Sequence, residues 1–590
     1  MLEAVTWEGA ITALIVAIAA PLLHYLWFSL RRMFRPDLPP GPRGLPLLGY
    51  LPFMTEHGHR DVETLKQKYG NVFGLQFGFR YVVFLCDFGS IKEALWNDAL
   101  LDRPHEFPDN VYEKYQTSRI DVSMCLARGS SHRRNFNVLP LAALTRRCIR
   151  GNEEADTCAE AAHHDVVPVI RAVAASGYTR LRCLLASIRP DPRVASGRAP
   201  KPLPETGLSR RDRSTLLRVR PGCLIVANGP RWKEQRRFTM RTFKALTSTT
   251  QALETHIHDE LSDLVRELAS RKGEPLAISS LLLSSTSNVI TALVYGRRFE
   301  YGSPERVELD EFADGIPTLA TQMSSINFFP WLRRVLSILG IGACGRLRSA
   351  MIRRDRISKT LIGLHEKTYQ DGVVRDYVGG FLSEMRRPEQ EKKTFTREVL
   401  LSNASSFFGA GSETVRTAVE WLLLMCAAKP EVQNRVRTEI DVVLGQRGQG
   451  SRVVWEDRSR MPYTQAFIWE MARYKPVNPI GLMRCASEDT KVSGYAIPRG
   501  SVVVPSLRSI FYDTSFWEDP EVFRPERFLV EGGTRASKPE RLIAFSCGKR
   551  SCPGEMIANM ATFIFLTTIL QHFIIEVPPS GPAIAFDEST

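Results

Sequence analysis

Apolar and polar residues alternate along this chain at several distinct periods, and each period predicts a different element. Gly9 to Leu30 is 22 positions without Asp, Glu, Lys or Arg, long enough to cross a bilayer as a helix. Glu3 and Glu8 precede it and Arg31, Arg32 and Arg35 follow, so the positive-inside rule predicts a retained anchor over 1–35 with the bulk of the chain on the cytosolic side. Leu38-Pro-Pro-Gly-Pro-Arg-Gly-Leu-Pro46 then reads as a stiff tether. Asp61–Tyr69 has helical spacing, Val72–Phe77 and Tyr81–Leu85 read as strands, and Ser90–Trp96 is helical again. Arg231–Phe238 starts a basic helix with Trp232 and Arg236 one turn apart on one face. Thr396–Lys429 predicts a long helix that Pro430 ends, and its all-round apolar middle implies passage through a core. Lys491–Val504 gives a strand, a Pro-x-Gly turn and a second strand. Pro553–Phe573 gives another helix, with Pro553 suited to its first turn.

The whole predicts a mainly α fold with a smaller β portion (α+β), and 590 residues that are 44% hydrophobic suffice for one large core. The net charge of +14 invites a nucleic-acid reading, but Arg119–Gly222 alone holds 19 Lys/Arg against 9 Asp/Glu and leaves only +4 elsewhere. No basic motif is interleaved with aromatics, so nucleic acid is excluded as a partner. That segment, 119–222, is rich in Arg, Ala, Pro and Ser without a sustained amphipathic period, and reads as a disordered insertion, such as an unremoved intervening sequence. Eleven cysteines without a regular framework argue against a disulfide scaffold and for a reducing compartment.

One cysteine stands out by its loop, Phe545-Ser-Cys-Gly-Lys-Arg-Ser-Cys-Pro-Gly554. Gly548 lets the backbone turn close to a flat ring, Arg550 is a fixed cation suited to a carboxylate, and Phe545 can pack on a macrocycle. The helix after Pro553 would point its positive end at the Cys552 sulfur and favour a thiolate. The plain alternatives are a buried apolar cysteine, or half of a zinc site with Cys547, which no second Cys/His pair with finger-like spacing accompanies. In Phe408-Gly-Ala-Gly-Ser-Glu-Thr414, Ala410 and Gly411 share a helix face with Thr414 and leave room for a ligand beside its hydroxyl. A packing notch with Thr414 bonded to its own helix reads equally well from these residues. Glu470-Met-Ala-Arg473 sets opposite charges at i, i+3, ordinarily a surface pair.

The pattern F-x-x-G-x-R-x-C-x-G, filled by Phe545, Gly548, Arg550, Cys552 and Gly554, resembles the haem-binding signature of cytochrome P-450 monooxygenases, with the closest likeness to the animal microsomal enzymes of family 2. The resemblance covers residues 36–118 and 223–586. It implies haem b held through Cys552 as axial ligand, with Trp232, Arg236 and Arg484 meeting its propionates. It implies that Thr414, in the A-G-x-E-T segment, hydrogen-bonds dioxygen or its water while Glu413 relays protons. Phe407, Ala410, Val477 and Ile480 would wall the substrate pocket. Glu470, Arg473 and Arg527 would form a structural network bracing the thiolate loop.

By the same resemblance, electrons come from NADPH through a membrane-bound NADPH–cytochrome reductase docking near Lys233, Arg237 and Lys549, with cytochrome b5 as a second donor. One oxygen atom enters an apolar small molecule (fatty acid, steroid or xenobiotic), and the enzyme sits on the endoplasmic reticulum membrane facing the cytosol. Two departures temper this. The segment 119–222 interrupts the haem domain 36–586, and the chain stops at 587–590 where the family continues into a final hairpin. They keep open a catalytically impaired haem- or lipid-binding membrane protein. A haem-thiolate isomerase or dehydratase is a further alternative, which the Glu413–Thr414 pair disfavours.

Overall fold

The computed structural model describes residues 35–45, 48–55, 58–78, 80–104, 125–128, 223–248, 250–311, 313, 326–370, 372–387, 394–448 and 450–578. The anchor expected at Gly9–Leu30, most of 119–222 and the end beyond 578 lie outside them. Among the described residues no helix is long and apolar enough to cross a membrane.

The chain opens with α1 (Gly58–Tyr69), the hairpin of β1 (Val72–Phe77) and β2 (Arg80–Leu85), and α2 (Phe88–Trp96). Asp87 starts α2 by accepting a hydrogen bond from the Ser90 amide at 2.9 Å. Inside the segment read as an insertion, Cys125–Arg128 form β3. A helical body follows: α3 (Gly229–Ser248), α4 (Thr250–Ser270), α5 (Ser279–Tyr295), α6 (Pro330–Leu339), α7 (Gly342–Thr368), α8 (Tyr377–Arg386), α9 (Arg397–Ala428), α10 (Pro430–Gly445) and α11 (Pro462–Tyr474). The short strands β4 (Arg484–Cys485), β5 (Thr490–Val492), β6 (Tyr495–Ile497) and β7 (Val502–Pro505) come next, then the one-turn helix α12 (Leu507–Phe511). The chain closes through β8 (Leu529–Val530), β9 (Arg535–Ala536), α13 (Glu555–His572) and β10 (Phe573–Glu576), the last paired antiparallel with β3.

The long central helix keeps its predicted bounds for local reasons. Thr396 caps α9 by accepting from the Val399 amide, and Pro430 begins the next helix. Leu423, Met425 and Cys426 of α9 share one fully buried cluster with Phe563, Ile564 and Leu566 of α13, so the two helices cross the core together. α5 lies close along α9. A Cβ added at Gly411 would stand 2.8 Å from Cδ1 of Ile290, so this glycine is a packing notch as well as a cavity residue.

The main sheet has the order β1-β2-β7-β4, with β2 parallel to β7 and β4 antiparallel to it, which fixes Arg484 opposite Val503. Here one expectation is corrected. The hairpin of Lys491–Val504 turns at Ser493-Gly494, both at positive φ (49° and 83°), and not at Pro498-Arg-Gly500. Two adjacent left-handed residues suit the twist of a two-residue hairpin. The Pro-x-Gly turn instead sends β7 across into the main sheet.

Candidate active site

The loop 545–554 is folded by its own backbone. The Cys552 amide donates to the Phe545 carbonyl at 2.9 Å and the Ser551 amide to that of Gly548 at 3.1 Å, while Ser546 and Gly548 carry the chain around at φ 64° and 73°. Gly548 serves a different neighbour from the one expected. A Cβ there would sit 2.3 Å from the Leu95 carbonyl oxygen of α2, so the glycine allows the loop to abut α2, and Gly548 is not on the cavity wall. Pro553 precedes the first turn of α13 instead of forming it, and Gly554 is its N-cap. The Gly554 amide hydrogen-bonds the Cys552 sulfur.

That sulfur opens onto an internal cavity of about 300 Å³. Burial pushes the thiol pKa up, opposed by the Gly554 amide and by the Arg236 guanidinium, while Glu555 adds to the rise. Trp232 and Arg236 from α3, Arg484 from β4, and Phe545, Arg550, Cys552 and Gly554 from the loop all line this one cavity. Arg550 stacks over the Trp232 ring at 4.1 Å and donates to the Ala227 carbonyl at 2.6 Å and to Asn228 Oδ1 at 3.1 Å, tying the loop to the start of α3. Arg236 reaches the Ser551 hydroxyl at 3.3 Å.

Among the described residues no carboxylate forms an ion pair with Arg236, Arg484 or Arg550, and Asp102 attracts Arg550 only from a distance. Arg484 is 1% exposed, yet among the described residues its Nε and Nη1 have no hydrogen-bond partner, and neither does Nε of Arg550. Burial, with repulsion from Arg236, lowers Arg484 to about 10. Burial, with repulsion from Arg484 and Arg236 and against the pull of Asp102, lowers Arg550 to about 9. Arg236 is lowered by burial as well. Converging buried cations with idle N–H groups define a receptor for an anionic group, and two carboxylates on a flat ring beside a thiol fit it. A further cavity arginine escaped the sequence reading. Arg103 donates through Nε to the Ile225 carbonyl at 3.2 Å and through Nη1 to the Leu482 carbonyl at 2.9 Å, joining the chain before α3 to the loop before β4. Only its place after the short turn ending at Leu100 marks it in the sequence, and no local periodicity singles it out.

The opposite wall comes from α9 and the loop after α11. Phe407, Ala410, Gly411, Thr414 and Val477 line the cavity. Phe407 also packs edge-on against Tyr377 at 4.9 Å and Phe243 at 5.3 Å, so it is wall and core at once. Thr414 Oγ1 donates to the Ala410 carbonyl at 2.7 Å, the self-bonded arrangement that the sequence left open. Glu413 is not on the wall and pairs with Arg416. Ile480 is not on it either. It packs against the buried cluster of β1, β2 and β7 and bridges to Ser506, because the loop turns back to the sheet after Pro479.

Glu470, Arg473 and Arg527 form the charged network expected of them. Glu470 and Arg473 are both 0% exposed and paired through Nε–Oε2 at 2.7 Å and Nη2–Oε1 at 2.8 Å. Arg527 Nε adds a bond to Glu470 Oε1 at 3.1 Å, the Arg524 amide another at 2.8 Å, and Arg473 Nη1 donates to the Phe511 carbonyl at 2.9 Å. It is not the surface pair that the spacing ordinarily gives.

A mainly helical body around a cavity with a thiol on one side and converging arginines at its rim defines a haem-thiolate class of protein. Comparison with known proteins agrees. The family described as Cytochrome P450 matches residues 39–155 and 208–589. Mouse cytochrome P450 2D10 is 33% identical over 373 residues, covering 62% of this chain and 72% of that protein. Rabbit cytochrome P450 2J1 is 34% identical over 367 residues, 62% and 71% of the two chains, and human cytochrome P450 2D6 is 34% identical over 365 residues, 61% and 72%. The chain belongs to the cytochrome P450 family and is a monooxygenase enzyme. Haem is the cofactor that this family implies, and the orphaned N–H groups of Arg484 and Arg550 fit its carboxylates.

Proposed function

We propose that this chain inserts one oxygen atom of O2 into an apolar small molecule of the fatty acid, steroid or xenobiotic class, with electrons from NADPH delivered by a membrane-bound reductase. The observation that carries the reading is the shared cavity: the Cys552 sulfur, the incompletely satisfied Arg484 and Arg550, and the α9 wall around Thr414 all border it. When bound, haem with an axial thiolate supplies reductive activation of dioxygen, one atom going to substrate and the other to water.

The chain's own residues supply orientation and protons. Cys552 would bind the haem iron through its sulfur, and the Gly554 amide and Arg236 favour its thiolate form. Arg236, Arg484 and Arg550, which line the cavity, would hold the two propionates. Trp232 supports Arg550 from beneath by the stacking contact. Phe407, Ala410 and Val477 give an apolar surface that excludes water and accepts a greasy substrate. Thr414 Oγ1, with its proton on the Ala410 carbonyl, keeps its lone pairs as acceptors toward the cavity, and rotation of the hydroxyl turns it into a donor. Glu413, one residue away, is the proton source from the far side of α9.

The anchor at Gly9–Leu30 would hold the enzyme on the cytosolic face of the endoplasmic reticulum, the segment 119–222 being an insertion in the haem domain 36–586. Cytochrome b5 would serve as a second electron donor. Lys233, Arg237 and Lys549 would form the reductase surface, although Asp98 pairs with Lys549 and lowers its net charge. The rival reading as a catalytically impaired haem- or lipid-binding protein draws no support from the family match.

Turnover of fatty acid and steroid probes under 18O2, with purified reductase and NADPH, tests the reading. One labelled oxygen in the product is expected, and an unlabelled product contradicts it. Glu413→Gln is expected to raise hydrogen peroxide relative to product, and an unchanged ratio removes Glu413 from proton delivery.

A further inference from the structure

Asn228 stands directly before α3, where an asparagine side chain ordinarily accepts an amide of the first helical turn. Among the described residues, none of its side-chain hydrogen bonds goes to α3. Oδ1 accepts the Arg103 amide at 2.9 Å and Nδ2 donates to the Arg103 carbonyl at 3.0 Å, so both ends of the carboxamide are held by the backbone of one residue 125 positions earlier. The second lone pair of Oδ1 accepts from Nη2 of Arg550 at 3.1 Å, on a loop 322 positions later. This pattern fixes the direction of the carboxamide, because turning it over would set its NH2 against two donors. Asn228 does not line the cavity, whereas Arg103 and Arg550 both do.

We propose that Asn228 is a positioning residue for the haem cradle: it holds the Arg550 guanidinium at the cavity without neutralising it. The proposal rests on the reading of the open arginine group as that cradle. Nη2 of Arg550 is fastened by two neutral acceptors, Asn228 Oδ1 and the Ala227 carbonyl, while the Trp232 ring sets the plane of the guanidinium. Nε is left without a partner among the described residues, and the fork keeps its charge for an incoming anion. A carboxylate at position 228 would reach the same nitrogen, but it would supply the counter-ion itself and compete with a propionate. It would also set an oxygen against the Arg103 carbonyl, where Nδ2 now donates. An apolar side chain there would hold neither Arg550 nor Arg103. The place therefore calls for a neutral group with an acceptor on one side and a donor on the other, which a carboxamide provides. The helix cap that Asn228 forgoes is exchanged for this third contact on the cradle.

Haem transfer from the haem-loaded full chain to an acceptor apoprotein tests this in a double-mutant cycle of Asn228→Ala and Arg550→Gln. Each single variant is expected to release haem about tenfold faster, the loss of one charge-assisted hydrogen bond. The two effects are expected not to add: in the Arg550→Gln background, Asn228→Ala should change the rate by less than about twofold. A second full tenfold there, or a wild-type rate in Asn228→Ala alone, overturns the proposal. Should Asn228→Ala not fold, Asn228→Asp keeps the shape of the side chain. It is expected to release haem faster and to lower the reduction potential of the bound haem, because an added negative charge favours the ferric state. Unchanged transfer and potential in Asn228→Asp overturn the proposal. A merely structural role would lower the denaturation midpoint of the apoprotein and leave the potential in place. Wild-type haem transfer in Arg550→Gln overturns the cradle reading and this proposal with it. Faster transfer in Arg550→Gln beside wild-type transfer in both Asn228 variants overturns the proposal alone, so the two failures are distinguishable.

Discussion

Two groups of buried charge in this molecule are balanced in opposite ways. In one, Glu470 is satisfied by Arg473, by Arg527 and by a backbone amide, and the N–H groups of Arg473 go to Glu470 and a carbonyl. At the cavity, Arg236, Arg484 and Arg550 repel one another, and three of their buried nitrogens have no acceptor among the described residues. The first group is complete in the polypeptide. The second is half of an interaction whose other half must be brought by an anion. A closed network braces, and an open one binds.

The sharpest way to break that contrast is to open the closed network. Glu470→Gln leaves two buried guanidiniums without their carboxylate and is expected to cost about 3–5 kcal/mol, read by chemical denaturation of the haem-loaded chain. A loss below about 1 kcal/mol would mean that the network is no more than a surface pair. Arg484→Gln acts on the open group and should have the opposite sign in the protein without haem. It removes an uncompensated cation there, yet it deletes charge-assisted hydrogen bonds to a propionate of about 1.5–3 kcal/mol. Haem transfer to an acceptor apoprotein should therefore be roughly 10- to 100-fold faster, with apoprotein stability unchanged or raised. Lowered stability of the apoprotein would place Arg484 among the bracing residues.

The smallest effect belongs to a pair between the two regimes. His365 Nε2 meets Asp376 Oδ2 at 2.8 Å, and Asp376 also caps α8 through the Gly379 amide. The hydrogen bond and charge of Asp376 raise the imidazole above its ordinary value of 6.5, against burial and the nearby Arg297. A raised folded-state value means stability that is whole below pH 6.5 and is lost as pH rises through the elevated value. Melting temperatures of wild type should fall relative to His365→Asn across that window. Parallel curves would remove the histidine from the balance.

Much of this was legible in the sequence because it is local. Thr396 and Pro430 mark α9, and the thiolate loop and the Glu470–Arg473 spacing are contiguous motifs whose residues the fold brings to one place. What was not legible depends on partners distant in the chain. Gly548 could be assigned to a turn but not to the Leu95 carbonyl that its missing Cβ admits. Arg103 is a lone cation until the loop before β4 arrives from 379 residues away. The side taken by Glu413 follows from Arg416 and from Ser279 of another helix, so helical spacing alone could not decide it. Ile480 carries the same apolar character as Val477, but the bridge to Ser506 carries it off to the sheet. Two turn signals lay within twelve residues, and the pair of left-handed residues at Ser493-Gly494 took the hairpin from the proline turn.

The central claim is that the open arginine group and Cys552 together form a haem cradle with an axial thiolate. The reduced carbon monoxide difference spectrum of the purified full chain, beside Cys552→Ala, tests it most directly. The wild type should give the red-shifted thiolate-type band, and the variant should lose it. A Cys552→Ala protein that takes up its porphyrin with the same band would contradict the account.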